Sequence, residues 1–305
     1  MNEFISRKLK KGDLIGIVSP SDPIENLAED VRFQKGVSFL ERLGFKTKIG
    51  ENISSLNPKL KAQDINNFFN DKSINAIICS QGGDSAEKTL QHIDFETIKN
   101  NSKIFTGLSD ITVFLNAIHK KTDLITFHGN EVKYGFGREY YEYNEKEFVN
   151  RLVKGKRGLI KPNGIRTTVR KGKTEGKLLG GNLRCLLKLA KTEYWPEFDK
   201  AILFLESLHL TPENCNKYFK QLEELGTFEK INGAIVGFNY GMQIEHPKEK
   251  QMEIILEEVT QKYAFPILKV NDFGHNCANT VLPVGAKVSL DATNKKIKLI
   301  EKFVK

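Results

Sequence analysis

The sequence predicts a two-domain α/β protein with its polar chemistry at strand ends, and three observations carry that expectation. Apolar runs such as Leu14–Val18 and Ala76-Ile77-Ile78-Cys79 are continuous rather than alternating, as strands buried on both faces of a parallel sheet are. Amphipathic runs at helical spacing follow them in turn, the pattern of repeated βα units with helices on both faces of the sheet. The chain has 305 residues, more than one small core usually serves.

Gly12-Asp13 leads into the first strand, Leu14–Val18, which stops in the turn cluster Ser19-Pro20-Ser21-Asp22-Pro23. Leu27, Val31, Leu40 and Leu43 are expected along one side of the next helix, with Gly44 as its stop. Residues 45–49 read as a strand, 61–70 as a helix and 74–80 as a buried strand that runs into Gln81-Gly82-Gly83-Asp84-Ser85. A helix containing Leu90 follows. Ile104, Phe105 and Thr106 form a strand that meets Gly107-Leu108-Ser109-Asp110, and Val113, Phe114, Ala117 and Ile118 then recur at helical spacing. Residues 124–128 close the first half as a strand. Alternation gives way over 134–174 to aromatic, charged and glycine-rich residues, so the expected division is a domain 1–150, a linker 151–175 and a domain 176–305.

The second domain opens with Gly180-Gly181-Asn182 before a helix over 183–191. Residues 201–205 are a fully apolar strand expected to end at Glu206, and 212–225 an amphipathic helix presenting Tyr218, Phe219, Leu222 and Leu225. A strand over 233–238, a helix over 248–262 and a strand over 265–270 lead to Gly274-His275-Asn276. Residues 287–290 and 296–300 form a hairpin across the polar turn between them.

Composition narrows the function. With 39% hydrophobic and 28% charged residues the chain is of globular type, and no apolar run reaches the roughly 18 residues of a membrane span. The N-terminal segment MNEFISRKLKKGD has no apolar core of a signal peptide, so a cytoplasmic location and no membrane partner are expected. The net charge of +9 comes mostly from scattered lysines. No nucleic-acid module accompanies it, and the one sustained basic stretch, 152–174, reads as a solvated linker. The four cysteines (Cys79, Cys185, Cys215, Cys277) are far apart, and none of the six histidines stands in a metal-binding spacing. No metal or cofactor is expected.

Three polar residues share one kind of place, an apolar strand running into a turn: Ser109, Glu206 and His275. Each has a plain structural alternative. Ser109 and Asp110 are good helix N-caps, Glu206 can pair with a lysine, and His275 can be a turn residue. Together they offer a hydroxyl, a base to take its proton and an acid to orient that base, in one of the chain orders that hydrolases use. The glycine pair Gly82-Gly83 can turn backbone N–H groups toward an anion, although it is neither a GxGxxG nor a P-loop. Cys277, two residues from His275, is a rival nucleophile with no basic surroundings evident.

In these segments the chain resembles the S66 family of serine peptidases, which contains murein L,D-carboxypeptidases and microcin C self-immunity peptidases. The similarity rests on Gly12-Asp13…Ser19-Pro20-Ser21, Ala76-Ile77-Ile78-Cys79…Gly82-Gly83, Gly107-Leu108-Ser109-Asp110, Gly180-Gly181-Asn182-Leu183, Ile202-Leu203-Phe204-Leu205-Glu206 and Gly274-His275…Leu282-Pro283-Val284-Gly285. The resemblance implies a flavodoxin-like N-terminal domain, a smaller β-rich C-terminal domain, a site between them and a homodimer. It implies Ser109 as nucleophile, His275 as general base, Glu206 as its orienting acid, and the backbone N–H groups of Asp110 and Gly83 as oxyanion donors. Gly82 and Gln81 are the substrate contacts expected at the glycine turn. The implied activity is a cytoplasmic carboxypeptidase acting on small peptides such as murein tetrapeptides.

Two departures bear on the substrate. Gln81 stands where murein carboxypeptidases commonly carry Arg, and an amide supplies no guanidinium fork for a carboxylate. The immunity branch carries a Trp-containing insertion before its Gly-Gly-Asn, and here the single Trp195 lies elsewhere. A peptidase of peptidyl-nucleotides and a non-catalytic small-ligand binding protein are the two alternatives.

Overall fold

The computed structural model describes residues 5–139 and 141–305. The first half supplies five parallel strands, β1 (Leu14–Val18), β2 (Lys46–Ile49), β3 (Ile74–Cys79), β4 (Ile104–Gly107) and β5 (Thr126–His128). They lie in the order β2-β1-β3-β4-β5, the flavodoxin-like arrangement, whose direction of winding reverses between β1 and β3. Ligands bind outside the carboxyl ends of strands at such a reversal. Ser19–Asp22, Ser80–Gly83 and Ser109 all leave the sheet there.

The second half supplies β6 (Gly158–Leu159), β7 (Thr167–Arg170), β8 (Lys173–Asn182), β9 (Ile202–Leu208), β10 (Gly233–Tyr240), β11 (Ile267–Gly274), β12 (Leu282–Val284), β13 (Lys287–Asp291) and β14 (Lys296–Leu299). Eight of these form a second sheet in the order β6-β14-β13-β8-β9-β10-β11-β7. Its centre, β8-β9-β10-β11, is parallel and its flanks are antiparallel. The ninth, β12, crosses back and pairs antiparallel with β5. Pro283, which lacks an N–H, is tolerated there because β12 is the edge strand of the first sheet.

Most expected elements form within a few residues of the sequence reading, and the differences have local causes. The helix Val31–Arg42 starts after Leu27, because the Asp30 side chain caps it by accepting from the Phe33 N–H. That start leaves Val31 63% exposed and buries Phe33, Val37, Phe39 and Leu40 instead. The helix that begins at Leu183 ends at Leu187, and i to i−3 bonds through Lys188, Leu189 and Ala190 tighten the rest into turns. Glu206 is not the end of its strand: β9 continues to Leu208 beside Asn239 and Tyr240 of β10. The helix expected over 248–262 spans Met252–Val259, preceded by a short turn after Pro247. The helix Phe95–Asn100 and strand β12 were not legible. The stretch read as a solvated linker carries β6, β7 and the start of β8, all paired in the second sheet, and its Arg166 is buried against Asp272.

Candidate active site

The turn after β4 places Ser109 in the left-handed region at φ 64°, a conformation a serine rarely adopts and one worth about 1–3 kcal/mol of strain. The strain is held by close approach from the glycine turn after β3. A methyl group added at Gly82 would lie 2.6 Å from Ser109 Cβ, 2.9 Å from its Oγ and 3.3 Å from the Asp110 nitrogen. Only glycine admits this contact, which packs the turn that carries the Gly83 amide against Ser109 and the Asp110 amide. Neither amide donates to a protein acceptor among the described residues.

The sequence left open whether Ser109 or Asp110 caps the helix that follows. Neither does, since no side chain caps the turn Ser109–Ile111 or the helix Thr112–Thr122. The Asp110 carboxylate caps a different helix, Ala86–Leu90, by accepting from the Ala86 N–H at 2.9 Å. It also accepts from Ser21 Oγ at 2.6 Å and from Lys188 Nζ at 2.7 Å, so a fully buried charge is satisfied from three segments. Lys188 reaches from the second half of the chain and also contacts Asp84 and Glu87. Burial lowers its ammonium pKa, but the charges and hydrogen bonds of Asp110 and Asp84 outweigh that and draw it above the ordinary lysine value.

Glu206 and His275 meet across the second sheet. His275 Nδ1 lies 2.5 Å from Glu206 Oε2, and Asn182 Nδ2 donates to Glu206 Oε1 at 2.9 Å. The β8–β9 register sets Asn182 directly opposite Glu206. Beneath the pair lies an aromatic layer in which His128 packs edge-on against Phe204 and Phe273. Glu206 is completely buried. Burial raises its pKa, but the charge and bond of His275, with His128 and Asn182, outweigh that and hold it below the ordinary value. Burial likewise depresses His275, and the Glu206 charge and hydrogen bond, with Glu131, turn the net shift upward.

Asn182 joins this pair to the Ser109 unit. Its backbone N–H donates to Thr112 Oγ1 at 2.9 Å, and Asn116 both donates to Gly180 O and accepts from Gly180 N. At Gly181 an added methyl would fall 2.4 Å from Thr112 Oγ1, which explains the glycine. The helix leaving Ser109 is therefore docked onto the strand end that fixes Glu206. Ser109, His275, Gly82, Gly83, Glu131 and Asn182 line one cleft of about 1950 Å³ between the two sheets.

Other candidates sit differently. Gln81 also borders the cleft, yet its Nε2 donates to the Pro23 and Asp22 carbonyls, which makes it a brace for the loop after β1. Burial pushes the Cys277 thiol well above its usual pKa and keeps it protonated, an inert state for a nucleophile. Trp195 packs edge-on against Phe198 with ring centroids 5.3 Å apart and does not border the cleft. Sequence reasoning missed two groups. Asn182 was visible in its motif but without its partner, and Glu131, a buried carboxyl past the end of β5, carries no local signal.

Two family models match the chain: the LD-carboxypeptidase N-terminal domain over residues 15–129 and the LD-carboxypeptidase C-terminal domain over residues 175–290. Among curated relatives, the probable murein peptide carboxypeptidase of Bacillus subtilis is 27% identical over 297 residues, covering 95% of this chain and 92% of its own. The microcin C7 self-immunity protein MccF of Escherichia coli is 28% identical over 335 residues, covering 99% and 97%. A solved structure of MccF in complex with aspartyl sulfamoyl adenosine superposes with a TM-score of 0.90 at 28% identity, covering 99% of each chain. With both domain models matched in order over most of its length, the chain belongs to the S66 family of LD-carboxypeptidases.

Proposed function

We propose that this protein is a serine carboxypeptidase that hydrolyses small peptides of the murein type through Ser109, His275 and Glu206. The observation that carries the reading is the His275–Glu206 bond. It commits Nδ1 to the carboxylate and leaves Nε2 as the ring nitrogen able to act as a base in the cleft that Ser109 shares.

In this mechanism His275 Nε2 takes the Ser109 Oγ proton as Oγ bonds to the scissile carbonyl carbon. The oxygen of that carbonyl becomes an oxyanion facing the Gly83 and Asp110 amides, each worth about 3–4 kcal/mol to a developing charge. Breaking the C–N bond returns the proton from the imidazolium to the leaving amine. Water then gives its proton to His275 and its oxygen to the acyl carbon, and Ser109 leaves with that proton. Glu206 stays ionised throughout and stabilises the imidazolium in each half-reaction.

A second reading, cleavage of peptidyl- or aminoacyl-nucleotides, is favoured by the tyrosines that line the cleft, Tyr134, Tyr141, Tyr218 and Tyr240. A base stacked on such a ring gains about 1–3 kcal/mol. One purified sample separates the two. Release of D-alanine from a murein-type tetrapeptide by the wild type, absent in Ser109→Ala, supports the peptidase reading. Turnover of an aminoacyl-nucleotide alone would replace it with the second.

A further inference from the structure

The loop that carries His275 is closed by a buried side chain, Asn279, that the mechanism above leaves without a task. Strand β11 ends at Gly274, His275 follows it, and the backbone turns at Asn276 through the left-handed region at φ 54°. The Gly274 N–H donates to Asn279 Oδ1 at 2.8 Å, and Asn279 Nδ2 donates to the Cys277 carbonyl at 3.0 Å. One partner is a pure donor and the other a pure acceptor, so the amide has a single orientation. It ties down the chain on both sides of His275. Gly274 has no room to shift toward β10, because an added methyl there would lie 2.3 Å from the Phe238 carbonyl oxygen. Behind the loop, the Asn279 N–H donates to Asn144 Oδ1 at 2.7 Å, on the helix Glu142–Phe148. Thr280 anchors the exit, its N–H donating to the Asp272 carbonyl at 2.7 Å and its hydroxyl to Glu147 Oε2 at 2.6 Å.

We propose that Asn279 is the positioning residue that holds His275 in register with both Glu206 and Ser109. The inference rests on His275 being the base that serves Ser109. Among the described residues the imidazole makes one hydrogen bond, to Glu206, and a ring held at one atom can still pivot about it. The backbone beneath the ring removes that freedom, and Asn279 is what fixes the backbone. Asn279 borders the cleft, but its carbonyl oxygen and its amide nitrogen are both engaged inside the loop, so it acts through His275 and not on a ligand. A base displaced by a fraction of an ångström loses reach to its proton long before the fold is lost.

The test follows phosphonylation of Ser109 by a fluorophosphonate across pH in wild type, Asn279→Ala and Asn279→Asp. The end-point of labelling counts the folded active molecules, and the second-order rate constant is read per active molecule, so partial unfolding does not imitate the effect. In Asn279→Ala the plateau rate should fall about 10–100-fold, the scale of a misplaced catalytic group. Its acid limb should also move to lower pH, because a ring that swings from Glu206 loses the contact that raises its pKa. The other groups facing the ring, Glu131, Arg138 and His128, are untouched by the substitution. Asn279→Asp keeps an acceptor for the Gly274 N–H and should recover most of the plateau. A plateau and limb in Asn279→Ala equal to those of the wild type overturn the proposal and leave Asn279 a loop residue only. So does an Asn279→Asp protein no faster than Asn279→Ala. Amide hydrogen exchange in the wild type gives a test without a variant: the Gly274 N–H should be protected, and exchange at the rate of an open loop overturns the clamp. If the fluorophosphonate fails to label wild-type Ser109, the peptidase reading itself falls and takes this inference with it.

Discussion

Asn182 and Glu206 stand opposite each other on parallel neighbours β8 and β9, and the Asn182 amide donates to the carboxylate oxygen that His275 leaves free. A sheet register therefore orients a buried acid at 0% exposure and, through it, the histidine. Replacing Asn182 with Ala removes that donor and also the cap on the helix at Leu183, where the Asn182 Oδ1 accepts from the Cys185 N–H. The expected cost is about 1–3 kcal/mol of stability, read as a lower urea midpoint, together with a lower kcat.

The pH profile follows from the same pair. In the proposed mechanism His275 serves as a base only when neutral; burial depresses its pKa, but the Glu206 charge and hydrogen bond lift it above the ordinary 6.5, with Glu131 adding and Arg138 subtracting. The rate should therefore fall on the acid side with an apparent pKa above 6.5. In Glu206→Gln that limb should move to lower pH, and the plateau should drop by on the order of 10⁴-fold as the imidazole loses its oriented tautomer. An acid limb that stays in place in this variant would show that Glu206 does not act on His275.

Gly82→Ala tests the approach of the glycine turn to Ser109, the proposed nucleophile. Its methyl group would have to occupy space 2.6 Å from Ser109 Cβ. Turnover should fall at least about 100-fold, the scale of a lost oxyanion donor, while far-UV circular dichroism stays native. Native turnover in a folded Gly82→Ala protein would place the oxyanion donors elsewhere.

Lys188 is expected to hold the two halves of the site together rather than to react. Lys188→Met strips the fully buried Asp110 carboxylate of its cation, which should cost about 1–3 kcal/mol in urea unfolding. The double variant with Asp110→Asn should recover part of that loss, because the stranded charge is then gone. Strict additivity of the two single changes would contradict the coupling.

What was legible in the sequence is what is local. Continuous apolar runs gave β1, β3 and β9, and a polar residue after such a run singled out Ser109, Glu206 and His275. Of these, Glu206 and His275 are bonded to each other and Ser109 borders the same cleft. What was not legible depends on register and on distant partners. Asn182 reads as a helix cap, which it is, and its second task exists only because β8 lies beside β9. Asp110 reads as a cap for its own helix, but its carboxylate serves a helix that begins 24 residues earlier, at Ala86. β12 is three residues long, and nothing in Leu282-Pro283-Val284 says that it will cross to the other sheet. Glu131 looks like any loop acid, and its burial is a property of the assembled cleft.

The central claim, that Ser109 is a nucleophile activated by His275, is tested most directly by covalent labelling. Wild-type protein is treated with a fluorophosphonate, and the adduct is weighed by intact mass spectrometry and mapped by peptide sequencing. A Ser109 nucleophile activated by His275 gives a single adduct on Ser109, none in Ser109→Ala, and labelling slowed by orders of magnitude in His275→Ala. An adduct on another residue, or undiminished labelling in either variant, would contradict it.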